Sequence, residues 1–213
     1  MIQHLIWDVD GTLFDTYPAI ARAFHAGLHD LGVTASFDWI LSLAQITLDH
    51  CLATLATTYA LSTADLEDRF AQHYRTVTSA DQPPFPSVRE VCTAIQARGG
   101  LNLIVTHRGR SSLDRLLAAH QLTSCFADII SNDDAYPRKP DPAAFVALID
   151  RQQLPRETTL GLGDRDIDIL AAQGAGLRAA LFGTNQGTAT PDFTFTDYAQ
   201  LLRRITAEES LPL

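Results

Sequence analysis

Cysteine is scarce in this chain. Cys51, Cys92 and Cys125 lie far apart and form no CxxC pair. An odd number of scattered cysteines argues against a disulfide framework, and each sits in an apolar segment as a buried thiol would. Basic charge is also short: 16 Lys and Arg face 25 Asp and Glu, for a net charge of −9. That balance argues against a nucleic-acid partner, because non-specific binding to a phosphate backbone needs a basic surface. A small anionic substrate stays open, since one metal ion and one or two basic side chains reverse a local potential. No uninterrupted apolar run reaches about 20 residues, so no membrane span is expected. Residues Met1 to Asp10 lack the basic start and long apolar stretch of a signal peptide, and the cytoplasm is the expected compartment. There is no internal repeat and no low-complexity tract.

What is present is a set of short apolar runs closed by turn residues. Leu5-Ile6-Trp7 stops at Asp8; Leu101–Val105, Ala127–Ile130, Thr159–Leu162 and Ala179–Phe182 are similar. Such runs predict buried parallel strands. Helical patterns separate the later ones. Ser87-Val-Arg-Glu90 has the form of a capping box, with Gly99-Gly100 as a stop. Ser111 is placed to cap a helix ending near His120, and Asp141-Pro142 precedes a helix over Ala143–Gln153. Strands alternating with helices predict a doubly wound α/β sheet, covered on both faces.

Residues 16–81 break the rhythm. Ala19, Ala23, Phe24, Leu28 and Leu31 recur at helical spacing, as do Leu66, Phe70 and Tyr74, and more loosely Leu41, Leu48, Leu52 and Leu55. Gln82-Pro-Pro-Phe-Pro86 reads as a stiff linker. The expected organisation is a core of residues 1–15 and 82–213 with a helical insert of residues 16–81.

The chemistry gathers at the predicted strand ends. Asp8-Val-Asp10 places two carboxylates at the carboxyl edge of a sheet, where open α/β folds bind ligands. Clustered carboxylates raise each other's pKa, and a hard cation such as Mg²⁺ relieves them with oxygen coordination. Gly11 permits a sharp turn beside them. The next strand ends in Thr106-His107-Arg108, where a hydroxyl and free amides suit a phosphate oxygen. Lys139 sits between prolines ahead of a helix, as a fixed positive charge. Asp164 ends a fourth strand. If a helix begins there, Asp168 lies on the same side and Asp166 points away. Each feature has an ordinary reading as a turn, a cap, a solvated lysine or an acidic helix start.

Taken in order, Asp8-x-Asp-Gly-Thr12, Thr106, Lys139-Pro and Gly163-Asp-x-x-x-Asp168 resemble the haloacid dehalogenase-like hydrolase superfamily. The match spans nearly the whole chain and is closest to the phosphoglycolate phosphatase-like and β-phosphoglucomutase-like members. The resemblance implies a Rossmann-like core and a small α-helical cap at residues 16–81. It implies a Mg²⁺-dependent phosphatase acting on a small phosphorylated metabolite. Asp8 would be the nucleophile, forming an aspartyl phosphate, and Asp10 the general acid and base. The Asp8 carboxylate, the Asp10 carbonyl and Asp164 would hold the metal, with Thr12 and Asp168 behind them. Thr106, the His107 amide and Lys139 would bind phosphate. Asp10 argues against dehalogenation, because a leaving alkoxide needs a proton and a halide does not. The second motif departs from the common pattern at His107 and Arg108.

Three alternatives remain open at this point: a phosphomutase of the same architecture, a phosphorylated signalling receiver, and a silent phosphate-binding protein. The resemblance assigns specificity mainly to the cap, where Arg22, His25, Gln45 and Thr47 are polar candidates, although solvent exposure is the simpler reading of each.

Overall fold

The computed structural model describes residues 1–184 and 187–206. The chain divides into two compact units, Met1–Phe14 with Pro84–Leu213, and Asp15–Pro83.

The first unit is a six-stranded parallel sheet. Its strands are β1 (His4–Trp7), β2 (Asn102–Val105), β3 (Phe126–Ile130), β4 (Thr159–Gly163), β5 (Arg178–Phe182) and β6 (Phe193–Phe195). Their spatial order is β3-β2-β1-β4-β5-β6. β1 lies at the centre, with Trp7 opposite Ile104 of β2 and Leu162 of β4. Side chains alternate between faces along each strand. Leu5, Trp7, Ile104, Leu160 and Leu162 join one apolar cluster; Ile6, Leu103, Val105, Ala179 and Leu181 join the other. This two-sided burial explains why the strands read as continuous apolar runs. The unit's helices are α5 (Val88–Ala97), α6 (Arg110–Ala119), α7 (Ala143–Gln152), α8 (Asp166–Gly174) and α9 (Tyr198–Thr206). Helices α5, α6 and α9 cover the first face; α7 and α8 cover the second.

The second unit is helical: α1 (Tyr17–Asp30), α2 (Phe37–Ile46), α3 (Leu48–Thr58) and α4 (Thr63–Tyr74). Its interior is one apolar cluster built on Phe24, Leu28, Ile40, Leu55, Leu66 and Phe70. The Phe24 and Phe70 rings stack with centroids 4.1 Å apart. The loose spacing of Leu41, Leu48, Leu52 and Leu55 spans two helices. Thr47 divides them with an extended backbone (φ −159°), and its hydroxyl accepts the His50 N–H at 2.9 Å. Thr47 is therefore a helix cap, while Arg22, His25 and Gln45 are exposed.

Two local expectations are corrected, and one strand is added. Ser87 precedes α5 but adopts a left-handed conformation (φ 66°) and makes no side-chain cap bond, so the capping box does not form. Helix α6 begins at Arg110 after Gly109, which places Ser111 inside it. Strand β6 was not expected; it is three residues at the sheet edge, too short for a periodicity. Asp141 does act as a cap acceptor, taking the Ala143 N–H at 2.9 Å.

All three cysteines are buried and free. Cys92 and Cys125 share a hydrogen bond. The Asn102 amide donates to both their carbonyls, at 3.0 and 3.4 Å, while its oxygen accepts the Trp7 indole N–H at 3.1 Å. No helix of the described residues is long and apolar enough to cross a membrane.

Candidate active site

The carboxyl ends of β1, β2 and β4 bring Asp8, Thr106 and Asp164 to one edge of the sheet. Lys139 comes from the segment before α7, and Asp168 from the first turn of α8. Asp8, Lys139 and Asp168 are all buried, at 1%, 5% and 1% exposure. Three buried ionic groups are tolerable only if they neutralise one another. The Lys139 ammonium lies 2.5 Å from Asp8 Oδ1 and 2.5 Å from Asp168 Oδ1. It also donates to the Val105 carbonyl at 3.2 Å.

Burial pushes the Asp8 carboxyl up to about 6 against the pull of the Lys139 ammonium. Burial alone would raise Asp168 too, but Lys139 and then Arg165 hold it below the ordinary value. Burial opposes the charge on Lys139; Asp168 and Asp8 outweigh it and keep the ammonium protonated. Asp168 is spent on orienting the lysine, and its Oδ2 accepts the Arg165 N–H at 3.2 Å. That close approach requires Gly163. A Cβ there would fall 2.1 Å from the Asp168 Cβ.

Asp8 Oδ2 is buried without a hydrogen-bond partner. An anionic oxygen in that state is costly unless something outside the chain engages it. Asp8, Asp164 and Asp168 each offer an oxygen within 4.8 Å of the others. All-oxygen donors of this kind fit a hard divalent cation. The donor set therefore fits Mg²⁺. Asp8 and Asp164 are the carboxylates that would hold it: Asp168 has Oδ1 on the Lys139 ammonium and Oδ2 on the Arg165 N–H, whereas Asp8 keeps Oδ2 without a hydrogen-bond partner.

The loop after β1 is braced from behind. Gly11 takes a positive φ of 82°, and its N–H bonds the Phe14 carbonyl at 2.9 Å. Thr12 Oγ1 donates to Asp164 Oδ1 at 3.2 Å. The buried Tyr198 hydroxyl donates to the Thr12 carbonyl at 2.6 Å, and its ring stacks on Trp7 at 5.6 Å. Tyr198 had no sequence signal beyond its place on an amphipathic helix; it supports the loop from 186 residues away.

On the β2 side, Thr106 Oγ1 accepts the Arg108 N–H at 3.0 Å, which leaves its O–H to donate. The His107 ring accepts the Lys139 backbone N–H at Nε2, 2.9 Å away. That contact fixes the tautomer with the proton on Nδ1 and ties the lysine segment to β2. The two residues that departed from the common motif are thus both engaged. Arg108 forks onto Asp10, with Nε 3.1 and 3.2 Å from the two carboxylate oxygens and Nη2 2.5 Å from Oδ1. Asp166, as expected, points away; its Oδ2 accepts the Ala189 N–H at 3.1 Å.

Comparison with known proteins adds to this geometry. The pattern defining the haloacid dehalogenase-like hydrolases matches residues 5–182. The phosphoglycolate phosphatase of Photorhabdus laumondii is 30% identical over 220 residues, covering 96% of this chain and 92% of that protein. That of Aliivibrio fischeri is 29% identical over 216 residues, covering 94% of this chain and 95% of that protein. A crystal structure described as a predicted phosphoglycolate phosphatase from Haemophilus somnus superposes with a TM-score of 0.82 at 22% identity, covering 95% of this chain and 97% of that one. The chain belongs to the haloacid dehalogenase-like hydrolases.

Proposed function

We propose that this haloacid dehalogenase-like hydrolase is a Mg²⁺-dependent phosphatase that cleaves a small phosphate monoester through an aspartyl phosphate on Asp8. The observation that carries the reading is the state of Asp8. One of its oxygens accepts from the Lys139 ammonium, the other is buried without a hydrogen-bond partner, and the carboxylate lies within 4.8 Å of an Asp164 oxygen. A carboxylate fixed by an ammonium, with coordination capacity left for a cation, suits a nucleophile that must stay ionised and oriented toward phosphorus.

The chain's own residues divide the work. Lys139 offsets the charge of the nucleophile and of the incoming phosphoryl oxygens. The Thr106 hydroxyl donates to one of those oxygens. Asp168 and the His107 ring keep Lys139 in place from its two ends. Asp10 protonates the leaving alcohol, then accepts a proton from the water that cleaves the acyl phosphate. Mg²⁺, held by Asp8, Asp164 and, by the family resemblance, the Asp10 carbonyl, would supply the remaining positive charge. Electrostatic placement of this sort is the main catalytic resource for phosphoryl transfer.

The relatives' names make phosphoglycolate the first substrate to try. The helical unit, residues 15–83, is read as the element that ranks substrates, because every side chain assigned to chemistry belongs to the other unit.

The test is a quench experiment. With an aryl phosphate and Mg²⁺, rapid acid quench followed by peptide mass spectrometry should find phosphate on Asp8. Excess chelator should abolish turnover. Asp8→Asn should lose both label and turnover. Full activity in chelator would remove the metal from the mechanism, and near wild-type turnover by Asp8→Asn would remove the nucleophile. Transfer of the label to a sugar phosphate faster than to water would favour the phosphomutase.

A further inference from the structure

We infer that Arg108 is a specificity residue that reads a carboxylate on the leaving group of the substrate and releases Asp10 when it finds one. The inference rests on the phosphatase reading above and deepens it.

The Arg108 side chain is 7% exposed, and Asp10 is 25% exposed. Three N–H contacts join the guanidinium to the Asp10 carboxylate, and Nη1 donates to Ser112 Oγ at 2.8 Å, four residues along α6. The fork is therefore anchored at both ends. An Asp10 carboxylate held this way faces the guanidinium with both oxygens. Serving a leaving oxygen competes with those contacts, which hold the carboxylate toward Arg108.

Withdrawing the Asp10 carboxylate from a buried guanidinium is expensive, because that charge-assisted contact is lost without water replacing it. Exchange for another anion of the same shape avoids that cost. A carboxylate matches the fork in the planar, two-point manner that Asp10 uses. The transferring phosphoryl group is already provided for by Lys139, Thr106 and the metal site, so the exchanging anion belongs elsewhere on the substrate. Arg108 holds the residue that serves the leaving oxygen, which places that second anion on the leaving side, a few bonds from the ester oxygen. The substrate class is then a phosphate ester of a short hydroxy acid. An ester whose leaving group lacks the negative charge meets an intact Arg108–Asp10 pair and turns over slowly.

A cycle between enzyme and substrate tests this. The kcat and KM of wild type, Arg108→Met and Arg108→Lys are measured on 2-phosphoglycolate, on its neutral amide and on phenyl phosphate. Loss of the guanidinium and loss of the carboxylate should be coupled by roughly 10- to 100-fold in kcat/KM, with part of the loss in kcat. Arg108→Lys, which keeps charge but not the fork, should show smaller coupling and guards against misfolding of the Met variant. Equal proportional losses by Arg108→Met and Arg108→Lys on all three esters would overturn the inference, since Arg108 would then act only by placing Asp10. A wild type that prefers the amide would overturn it as well. If wild type hydrolyses none of the three, the phosphatase reading falls and takes this inference with it; hydrolysis without coupling removes the inference alone.

Discussion

Residues 15–83 bury Phe24, Leu28, Ile40, Leu55 and Leu66, and among the described residues that unit buries no charged side chain. Its charged contacts lie at the surface: Arg22–Asp81 at 3.8 Å, and the Asp30 carboxylate hydrogen-bonded to the His73 ring at 2.7 Å. The sheet unit buries comparable apolar clusters on both faces, yet it also encloses Asp8, Lys139 and Asp168 at one edge. Surface pairs of the first kind contribute little to stability. Buried ions of the second kind cost desolvation that a well-packed apolar replacement would avoid. The helical unit keeps its charges at the surface, whereas the sheet unit buries ions at its candidate active site and bears their desolvation cost there.

That contrast breaks most visibly at the buried triad. Lys139→Met leaves two carboxylates buried together with only the more distant Arg165, 4.0 Å from Asp168 Oδ2, to offset them. It should cost about 3–5 kcal/mol of stability and lower kcat by roughly 10²–10³-fold. Asp8→Asn should lower kcat by at least ~10⁴-fold yet leave stability unchanged or higher, because Lys139 keeps Asp168 as its partner. Thermal melts beside turnover assays decide it. If Asp8→Asn destabilises the protein as much as Lys139→Met, burial of the Asp8 charge carries no such desolvation cost.

The helical unit should behave in the opposite way. Phe24→Ala removes a fully buried ring stacked on Phe70. The expected cost is about 3–5 kcal/mol, with metal dependence and phosphoenzyme formation unchanged per folded molecule. Denaturant unfolding combined with active-site titration of the label measures both. A loss of phosphoenzyme in the folded fraction would show that the chemistry is not confined to the sheet unit.

Gly163→Ala sharpens the contrast within the sheet. Its new Cβ meets Asp168 backbone-proximal atoms rather than the end of a flexible chain. We expect roughly 1–3 kcal/mol of destabilisation from overpacking, and a fall in kcat because Asp168 must move from Lys139. Ala172→Gly, which opens space against Gly161 and not against residue 163, should not rescue that kcat. Rescue would mean that sheet packing, not the lysine contact, was disturbed.

The legible parts of this molecule were those set by local pattern or by strand ends. Five strands announced themselves because burial keeps most of their positions apolar, with polar exceptions such as Asn102, Asp128, Thr159 and Arg178. Asp8, Thr106, Lys139, Asp164 and Asp168 could be named because the carboxyl edge of a parallel sheet is where such groups collect. The illegible parts depend on contacts between distant segments. Tyr198 reaches Thr12, Asn102 reaches Trp7, and Arg108 reaches Asp10 across 98 residues. A signal for the last existed: β1 and β2 as neighbours would bring residues 10 and 107 level. Ser87 failed as a cap for a backbone reason, since a left-handed residue turns its hydroxyl away from the helix amides. The break at Thr47 was hidden because leucines on both sides kept an approximate helical spacing.

The smallest expected effect lies at His107, where the site depends on a histidine that stays neutral. Its Nε2 accepts the Lys139 N–H, so protonation would set two donors against each other. Burial holds its pKa down to about 4, and the Lys139, Arg138 and Arg165 charges act in the same direction; Asp168 pulls the other way. The unfolded chain takes the proton near the ordinary value of 6.5. The contribution of this contact to stability is thus fully present above about 6.5 and is lost progressively as the pH falls toward 4. His107→Asn keeps an acceptor for the Lys139 N–H without titrating. Carboxylates titrate in the same window, so the difference between wild type and variant isolates the histidine. Wild type should be the more stable at pH 7.5, and the gap should narrow or reverse by pH 5. The helical unit supplies the control: the His73–Asp30 pair is exposed, and His73→Asn should not reproduce that narrowing. A pH-independent gap between wild type and His107→Asn would show that the ring does not hold the lysine segment as a neutral acceptor.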